Sequence, residues 1–379
     1  MRVALHYPWV YLKGGAERTL LNLMKESHHH WTLFTNHYDA ESTFPEFADM
    51  DIVQLSRISV RRSLLHAGHA AGTILTQQLP LNGHRGVMTA VESIGNLGTV
   101  RTNGVPLMCL CLTPLRVAYD PIIRSHFEAK ANPITRMAVR GFSMLDRQLW
   151  KRYQQVFAIS QEVKGRLINA RLVDPARIQI ARPGVDLQSY PCKKTFEPFF
   201  LLPGRIMWTK NVELGIDAFK RLKATLPEAA PFKLVIAGMV DRKSRPYLEA
   251  LQAHALSLGS DVVFQESPSD DELRDYYARC YATLFCAYNE DWGLVPLESM
   301  ASGKPVIAVD RGGPKESIID GVTGFLRPPD ARCFADCMAE LIRRPSWNEA
   351  LGRKGRERAE EFSWCSFVQV IDNYVDTLA

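Results

Sequence analysis

Residues 281–326 constrain the fold of this chain more than any other stretch, because buried segments and loops alternate along them. Residues 282–287 form an apolar run rich in Leu, Phe and Thr, which predicts a buried strand. Pro296 suits the first position of a short helix, and Gly303 suits the residue just beyond its end, where positive φ is common. Residues 306–309 predict a second buried strand before a glycine-rich turn. The stretch therefore predicts an α/β unit that runs strand, loop, helix, strand, loop, helix.

Such a unit places helix N-termini beside the carboxyl ends of parallel strands, where open α/β sheets bind their ligands. Backbone N–H groups at a helix start have no partner within the helix, so they can bind an anion without side chains. The predicted donors are the amides of Gly293, Leu294 and Val295, with a second group at Gly312 and Gly313. We therefore expect phosphate oxygens at this edge of the sheet.

Two carboxylates flank the first group of amides. Glu290 and Glu298 stand eight residues apart, on either side of the predicted donors. A carboxylate repels a phosphate, so the expected partners of both side chains are hydroxyl groups. A site that binds phosphates between two hydroxyl-binding carboxylates fits a nucleotide-diphosphate sugar. The alternative interpretation is that both are ordinary surface acids.

The run from Glu290 to Glu298 and the segment SMASGKPVIAVDRGGPKESIIDGVTGFL after it resemble the E-x7-E signature of the family-4 type of retaining glycosyltransferases. The resemblance implies the GT-B fold, an α/β architecture of two Rossmann-like, doubly wound domains that face each other across a cleft. It also implies a C-terminal helix that crosses back to the first domain. In the family the first glutamate contacts the transferred sugar, the second holds the nucleotide ribose, and the amides between them bind the diphosphate.

Two segments of the first half resemble the same family. Gly14-Gly15, followed by AERTLLNL, resembles the glycine-rich loop that faces the donor phosphates and the acceptor. Residues 109–121 resemble a C-H-T-P-x-R-x-x-x-D segment found in one branch of the family. The matching residues, which the resemblance places on the acceptor side, are Thr113, Arg116 and Asp120.

Leu112 stands where that segment has a histidine. An apolar side chain there leaves a substrate hydroxyl unpaired, at a cost of about 1–3 kcal/mol. We expect either a modified, natural-product-like substrate that lacks the hydroxyl, or an ordinary hexose used in polysaccharide assembly. A catalytically silent relative that only binds nucleotide sugars or carbohydrate is the alternative to an enzyme.

Arg205 and Lys210 lie between a predicted strand and a predicted helix, so both can reach the carboxyl edge of the second sheet. Their run resembles the family's G-R-x(4)-K element, which neutralises the donor diphosphate. We predict Glu290, Arg205 and Lys210 as catalytic residues in transfer from a UDP, GDP or TDP sugar to a hydroxyl acceptor. The products would be polysaccharides, glycolipids or natural-product glycosides, with neither cofactor nor metal required.

Other candidate metal ligands lack partners in the sequence. Asp49 and Asp51 form a D-x-D, the tripeptide that binds a divalent ion in the other glycosyltransferase fold, but so short a match is expected by chance. Residues 28–30 are a run of three histidines, for which we expect a solvated strand edge. Cys333 and Cys337 share a helical face without a further ligand nearby. We therefore predict no metal site.

A chain of 379 residues is too long for one ordinary core, so two domains are expected. We place the first domain at 1–186, a linker at 187–198, the second domain at 199–361 and a final helix at 362–379. No run of 18 apolar residues is present, and the first residues lack the features of a signal peptide. We expect a cytoplasmic protein.

The remaining function classes are disfavoured by charge and by missing motifs. The formal net charge of +5 is spread along the chain, so no nucleic-acid partner is expected. No G-x-G-x-x-G follows an early strand, and Gly303-Lys304 is followed by Pro305, which disfavours dinucleotide oxidoreductases and phosphate-loop NTPases. A basic segment at 57–79, which includes Arg57, Arg61 and Arg62, predicts a helix that is either solvated or in peripheral contact with anionic lipid.

Overall fold

The computed structural model describes residues 1–61, 63–92, 94–102, 104–193 and 195–378. They form two compact units, one of Met1–Pro183 with Trp364–Ala379 and one of Gly184–Ser363. The sequence placed a linker at 187–198, whereas the structure includes these residues in the second unit, apart from Lys194, which lies outside the described residues.

The first unit is built on a seven-stranded parallel sheet with the order β5-β3-β1-β6-β7-β8-β9. Its strands are β1 (Arg2–His6), β3 (His30–Thr35), β5 (Ile52–Gln54), β6 (Val87–Glu92), β7 (Leu107–Thr113), β8 (Gln155–Ala158) and β9 (Ile178–Ile180), and β2 (Trp9–Val10) and β4 (His37–Tyr38) form a separate parallel pair. Every residue of β7 is buried, which fits a central strand covered on both faces.

Helices connect these strands. They are α1 (Gly15–Glu26), α2 (Leu64–Thr76), α3 (Arg116–Tyr119), α4 (Pro121–Lys130), α5 (Pro133–Trp150) and α6 (Gln161–Asn169). The helix predicted within 57–79 is shorter than that segment, because Ser63 caps it with a side-chain oxygen that accepts from the backbone N–H of His66. Arg57 and Arg61 therefore precede the helix, Arg62 lies outside the described residues, and lipid contact stays a prediction.

The second unit contains a six-stranded parallel sheet with the order β12-β11-β10-β13-β14-β15. Its strands are β10 (Phe199–Pro203), β11 (Lys233–Gly238), β12 (Val262–Glu266), β13 (Ala282–Phe285), β14 (Val306–Val309) and β15 (Gly324–Arg327). Its helices are α7 (Val212–Thr225), α8 (Arg245–Ala255), α9 (Asp270–Arg279), α10 (Leu294–Ala301), α11 (Pro314–Ser317), α12 (Ala331–Arg343) and α13 (Pro345–Ala359). The predicted alternation of strands and helices over 281–326 is confirmed.

In both sheets the strand order reverses beside the unit's first strand. The reversal lies between β1 and β6 in the first unit and between β10 and β13 in the second. Loops that leave two neighbouring strands in opposite directions open a crevice at such a switch point, and open α/β sheets bind their ligands there. The predicted fold class, two doubly wound Rossmann-like domains, is confirmed.

The chain ends with α14 (Trp364–Val375), which packs against α1 within the first unit. The side-chain hydroxyl of Ser27 donates a hydrogen bond of 2.6 Å to Asp372 on this helix. The last helix thus returns to the first unit, as the fold class implies. Within the described residues, no helix is both long enough and apolar enough to cross a membrane.

Candidate functional site

The loops after β10 and β13 meet at the switch point of the second sheet. Arg205 follows the end of β10 by two residues, and Lys210 ends a short 3-10 turn that leads into α7. Glu290 lies in the connection between β13 and α10. The two loops are joined through their backbones, because the N–H of Tyr288 donates a 3.1 Å hydrogen bond to the carbonyl of Thr209.

Lys210 and Glu290 form an ion pair across this junction. The Nζ of Lys210 lies 2.5 Å from Oε2 of Glu290, and the two side chains are 22% and 21% exposed. The Lys210 ammonium also lies 5.7 Å from the centre of the Phe285 ring, at the end of β13. The structure therefore brings together two of the three predicted catalytic side chains, at a place that remains open to a solute.

Arg205 sits toward the neighbouring strand, β11. Burial acts to raise the pKa of Asp241, but hydrogen bonds from Ser244 and from the Lys243 backbone, with the charge of Arg205, bring that pKa below its ordinary value. Arg205 is thus within electrostatic reach of the turn after β11. The described contacts do not join it to the pair formed by Lys210 and Glu290.

Helix α10 begins two residues earlier than the sequence predicted. Gly293 precedes the helix with φ of +90°, a conformation that L side chains rarely adopt, and Pro296 is the third helical residue instead of the first. Proline is tolerated there because an N–H of the first turn has no intrahelical partner to lose. The amides of Leu294 and Val295 are therefore the first two of the helix that follows β13, and their predicted role in anion binding stays a prediction.

The prediction that a second group of amides binds phosphate is wrong for Gly313. Its N–H donates a 2.8 Å hydrogen bond to the carbonyl of Glu290. A Cβ at Gly312 would lie 2.1 Å from that same carbonyl oxygen, and one at Gly313 would lie 2.2 Å from the carbonyl oxygen of Trp292. These two glycines allow the loop that carries Glu290 to pack closely on the next loop, so they position the site through the backbone.

Glu298 lies inside α10 and is only 8% exposed. The hydroxyl of Tyr277, on α9, donates a 2.8 Å hydrogen bond to its Oε2. Burial and the negative charge of Glu298 both raise the pKa of Tyr277 well above its ordinary value, so the phenol stays a donor. Sequence analysis missed Tyr277, because its only signal is the pairing of α9 with α10 in three dimensions.

In the first unit, Gly14 and Gly15 lie at the start of α1. Gly14 occupies the N-cap position and Gly15 is the first helical residue. A Cβ at Gly14 would lie 2.6 Å from Oε2 of Glu17, which is itself buried. The glycine pair therefore makes room for a carboxylate near the helix start, and its predicted role in donor binding stays a prediction.

The acceptor-side residues lie around the end of β7. Thr113 is the last residue of that strand, and Arg116 binds Asp120 with its Nη2 2.8 Å from the carboxylate. Asp120 is fully buried, lies 3.4 Å from Arg166 and accepts the backbone N–H groups of Ile122 and Ile123 at the start of α4. In this structure Asp120 holds the first turn of α4, and the acceptor-side role of the three residues stays a prediction.

Leu112 lies at an irregularity in the sheet. Cys111 pairs with Val91 and Thr113 pairs with Glu92, so Leu112 is the extra residue of a bulge between β7 and β6. Its side chain is buried, with 6% exposed. The bulge gives Leu112 a different strand pairing from its neighbours in β7. The effect of Leu112 on substrate choice stays a prediction.

His6 is a further residue that sequence analysis missed. It ends β1 at the switch point of the first sheet and is fully buried. Burial lowers its pKa to about 4. A Cβ at Gly98 would lie 2.4 Å from its Nδ1, so the ring packs against a glycine of the neighbouring loop. The first unit therefore places a neutral imidazole where the second unit places an ion pair.

Known proteins of the glycosyltransferase class are similar to this chain mainly over the second unit. Residues 191–358 match the family model described as "Glycosyl transferases group 1". The chain is 36% identical over 177 residues to the human (Homo sapiens) alpha-1,3/1,6-mannosyltransferase ALG2, a match that covers 45% of this chain and 42% of that protein. It is 30% identical over 225 residues to the D-inositol 3-phosphate glycosyltransferase of Frankia alni, covering 55% of each. The chain spans about half the length of the curated relatives it matches.

Solved structures match over the whole chain. Anabaena Alr3699/HepE in complex with UDP superposes with a TM-score of 0.77 at 18% identity and 100% coverage of both chains. Sucrose-phosphate synthase from Thermosynechococcus elongatus superposes with a TM-score of 0.77 at 21% identity, covering 100% of this chain and 99% of that one. At these identities the likeness concerns the fold. Residues 191–358 thus match the glycosyl transferases group 1 family model, within a chain that has the GT-B fold.

Proposed function

We propose that this protein is a retaining glycosyltransferase that moves a sugar from a nucleotide-diphosphate sugar to a hydroxyl acceptor. The observation that carries the proposal is the meeting of Lys210 and Glu290, at 2.5 Å, where the second sheet reverses its strand order. A cation suits the leaving diphosphate, and a carboxylate suits the hydroxyls of the transferred sugar. Both lie beside the N-terminus of α10.

Lys210, Arg205 and the first amides of α10 bind the diphosphate in this proposal. Charge-assisted hydrogen bonds are worth about 1.5–3 kcal/mol each, and helix N-termini attract negative charge. Charge accumulates on the leaving phosphate as the bond from sugar to phosphate breaks. Donors already in place therefore stabilise the transition state more than the ground state.

Glu290 and Glu298 bind hydroxyl groups on the two sides of the diphosphate. The Lys210 ammonium holds the carboxylate of Glu290 at the strand ends, where the transferred sugar would lie. Tyr277 fixes one oxygen of Glu298, which orients the carboxylate for the nucleotide ribose. Lys210 then has two roles. It orients Glu290 before the donor binds, and it neutralises the charge of the diphosphate once the donor is bound.

The proposed step is a substitution on one face of the sugar. The bond from the anomeric carbon to the phosphate oxygen breaks, and the acceptor oxygen bonds to the same face of that carbon. The acceptor's proton passes to the departing phosphate, so no separate base is required and the anomeric configuration is retained. We propose that this reaction needs no metal, and transfer activity should survive a chelator.

The test is a panel of UDP, GDP and TDP sugars, first by thermal shift and then by transfer. UDP-glucose leads the panel, because the HepE structures contain UDP and UDP-glucose. The mannosyltransferase relatives make mannose donors the second choice. An axial product from an axial donor bond, measured by NMR coupling constants, supports retention, and inversion contradicts it. Binding without transfer or donor hydrolysis would favour the alternative, a catalytically silent binding protein.

A further inference from the structure

Two histidines of the turn between α1 and β3 lie against the carboxyl end of the chain, within the first unit. Nε2 of His28 lies 3.1 Å from Oδ1 of Asp376, and Nε2 of His29 lies 3.2 Å from the same oxygen. Asp376 follows α14 directly. The histidine run lacked partners in the sequence because this aspartate is 348 residues away from His28.

The spacing of these three ligand atoms fits one metal ion. Zinc binds His nitrogen and carboxylate oxygen at about 2.0–2.2 Å in a tetrahedron, which places neighbouring ligand atoms about 3.3–3.5 Å apart. The two distances to Asp376 are close to that edge length, and all three ligand atoms lie within 4.8 Å of one another. Among the described residues, this is the one group of three or more His, Cys, Asp or Glu side chains whose ligand atoms lie so close together.

A buried carboxylate orients the first histidine. Oδ2 of Asp372 lies 3.0 Å from Nδ1 of His28, and Asp372 also accepts from Ser27 and from the backbone N–H of His28. Metal-binding histidines commonly donate the N–H of the other ring nitrogen to a carboxylate, which directs the lone pair of the ligating nitrogen at the metal. Asp372 supplies that interaction for His28.

In the same arrangement His28 faces two carboxylates, which either a second ring proton or a bound cation can satisfy. His28 has a carboxylate at each ring nitrogen, Asp372 at Nδ1 and Asp376 at Nε2. A neutral imidazole carries a single N–H, so it can donate to only one of the two. A divalent cation between Nε2 and Asp376 attracts both groups without a second proton.

We propose that His28, His29 and Asp376 bind one divalent transition-metal ion, with Zn²⁺ as the best fit. His29 is buried, while His28 and Asp376 are half exposed, so a water molecule can occupy the fourth position. The ion fastens the end of the chain to the turn after α1. It is a structural site, independent of the proposed transfer reaction, and it revises the sequence-based prediction of no metal site.

The third histidine of the run provides a matched control. Nε2 of His30 lies 2.9 Å from Asp51, which also accepts a 2.7 Å hydrogen bond from the hydroxyl of Thr32. His30 therefore points to a different carboxylate and has no place in the proposed site. A histidine run that binds metal nonspecifically would lose affinity equally at any of its three positions.

The experiment titrates Zn²⁺ alone into the chelated and desalted full chain, by calorimetry and by thermal unfolding. We expect one ion per chain and a higher Tm with Zn²⁺. Asp376→Asn and His29→Gln should remove both effects, Asp372→Asn should weaken binding by about 10–100-fold, and His30→Gln should leave binding unchanged. Circular dichroism checks that each variant is folded.

Cobalt gives a second readout, because four-coordinate Co²⁺ absorbs visible light more strongly than six-coordinate Co²⁺. The intense spectrum should appear in the wild type and in His30→Gln, and should be absent in Asp376→Asn. Two results overturn the proposal: unchanged Zn²⁺ affinity in Asp376→Asn, or equal losses in His29→Gln and His30→Gln. Transfer activity is measured separately, so failure of either proposal leaves the other intact.

Discussion

The two units use buried carboxylates in opposite ways. In the first unit, Asp120 and Asp146 are fully buried, and each is surrounded by donors of its own unit. In the second unit, Glu290 is about one-fifth exposed and Glu298 is nearly buried. All four belong to loops or helices that flank a doubly wound sheet, so topology alone does not separate structural acids from those that we propose to bind a ligand.

The difference lies in how exposed each carboxylate is and in the kind of donor that it pairs with. Asp146 accepts hydrogen bonds from Asn96, Tyr119 and Trp150, while burial raises its pKa above the ordinary value. Its bonds join a loop and two helices of the first unit. By contrast, Glu290 is about one-fifth exposed and pairs with the ammonium of Lys210, a charge for which a diphosphate would compete. The first unit uses these acids to hold its own structure, whereas in our proposal the second unit presents its acids to a ligand.

Asp120→Ala tests the structural side of the comparison and should have the largest effect. It leaves Arg166, which is 5% exposed, as a buried charge without this partner, and it removes the cap of α4. Breaking a buried ion pair from one side costs about 3–5 kcal/mol. We expect urea unfolding to show a loss of that size, with nucleotide affinity unchanged once the variant is folded. A stable Asp120→Ala variant that loses only acceptor binding would reverse our interpretation.

Glu290→Ala tests the ligand-binding side. Transfer should fall by about 10²–10³-fold, the size of effect seen when one group that stabilises a transition state is removed. The affinity for the free nucleoside diphosphate should stay nearly unchanged, because the assigned partner of Glu290 is the sugar. Steady-state kinetics and calorimetry with the diphosphate measure the two quantities. Equal losses of diphosphate affinity in Glu290→Ala and Glu298→Ala would contradict the assignment.

The strand and helix pattern of the second unit was accessible from sequence because each element is short and bounded by Gly or Pro. The predicted strand at 306–309 matches β14. The start of α10 was misplaced, since a proline in a first turn suits several positions there and the sequence does not show that Gly293 has positive φ.

Long-range partners were not accessible from sequence. The spacing between Glu290 and Glu298 indicated a site, but Tyr277 and the pairing of Lys210 with Glu290 depend on how separate elements pack. The same holds for Asp376, which completes the histidine cluster from the other end of the chain. A motif match assigned residues to a site, while packing decided which of them touch.

His6 allows a test of the difference between the two switch points, since the first sheet places a neutral imidazole there and the second sheet an ion pair. Its pKa is about 4 in the folded chain against 6.5 for an ordinary histidine. Below pH 6.5 the unfolded chain binds a proton at His6 that the folded chain does not, so stability falls as the pH drops to about 4. The loss attributable to His6 is about 3 kcal/mol, at 1.36 kcal/mol for each pKa unit.

The measurement compares urea unfolding of the wild type and His6→Leu at pH 7 and at pH 4.5. The substitution should reduce the loss of stability between these values by about 2–3 kcal/mol. His30→Gln, at an exposed histidine, serves as the control and should leave the loss unchanged. An identical pH dependence in all three proteins would mean that His6 has the same pKa in the folded and the unfolded chain.

Glu298→Ala should weaken nucleoside diphosphate binding by about tenfold or more, because a hydrogen bond to a charged group is worth about 1.5–3 kcal/mol. The donor sugar is absent from this ligand, so the loss reports on the ribose alone. Calorimetry with the free diphosphate and with inorganic pyrophosphate separates the two parts of the ligand. Pyrophosphate affinity should be unchanged, and a parallel loss would place Glu298 near the phosphates.

Tyr277→Phe should give the smallest effect, because it removes the hydroxyl that orients Glu298 and keeps the ring. A hydrogen bond of this kind contributes about 0.5–1.5 kcal/mol net, so diphosphate affinity should fall about two- to tenfold. Tyr281→Phe is the matched control, since that hydroxyl is also buried and donates to the backbone carbonyl of Leu341. Both variants lose one buried hydrogen bond, yet only Tyr277→Phe should change nucleotide affinity. If the two variants lose stability alike and keep the same affinity, the bond between Tyr277 and Glu298 serves the fold alone, and the acids of the two units differ less than we infer.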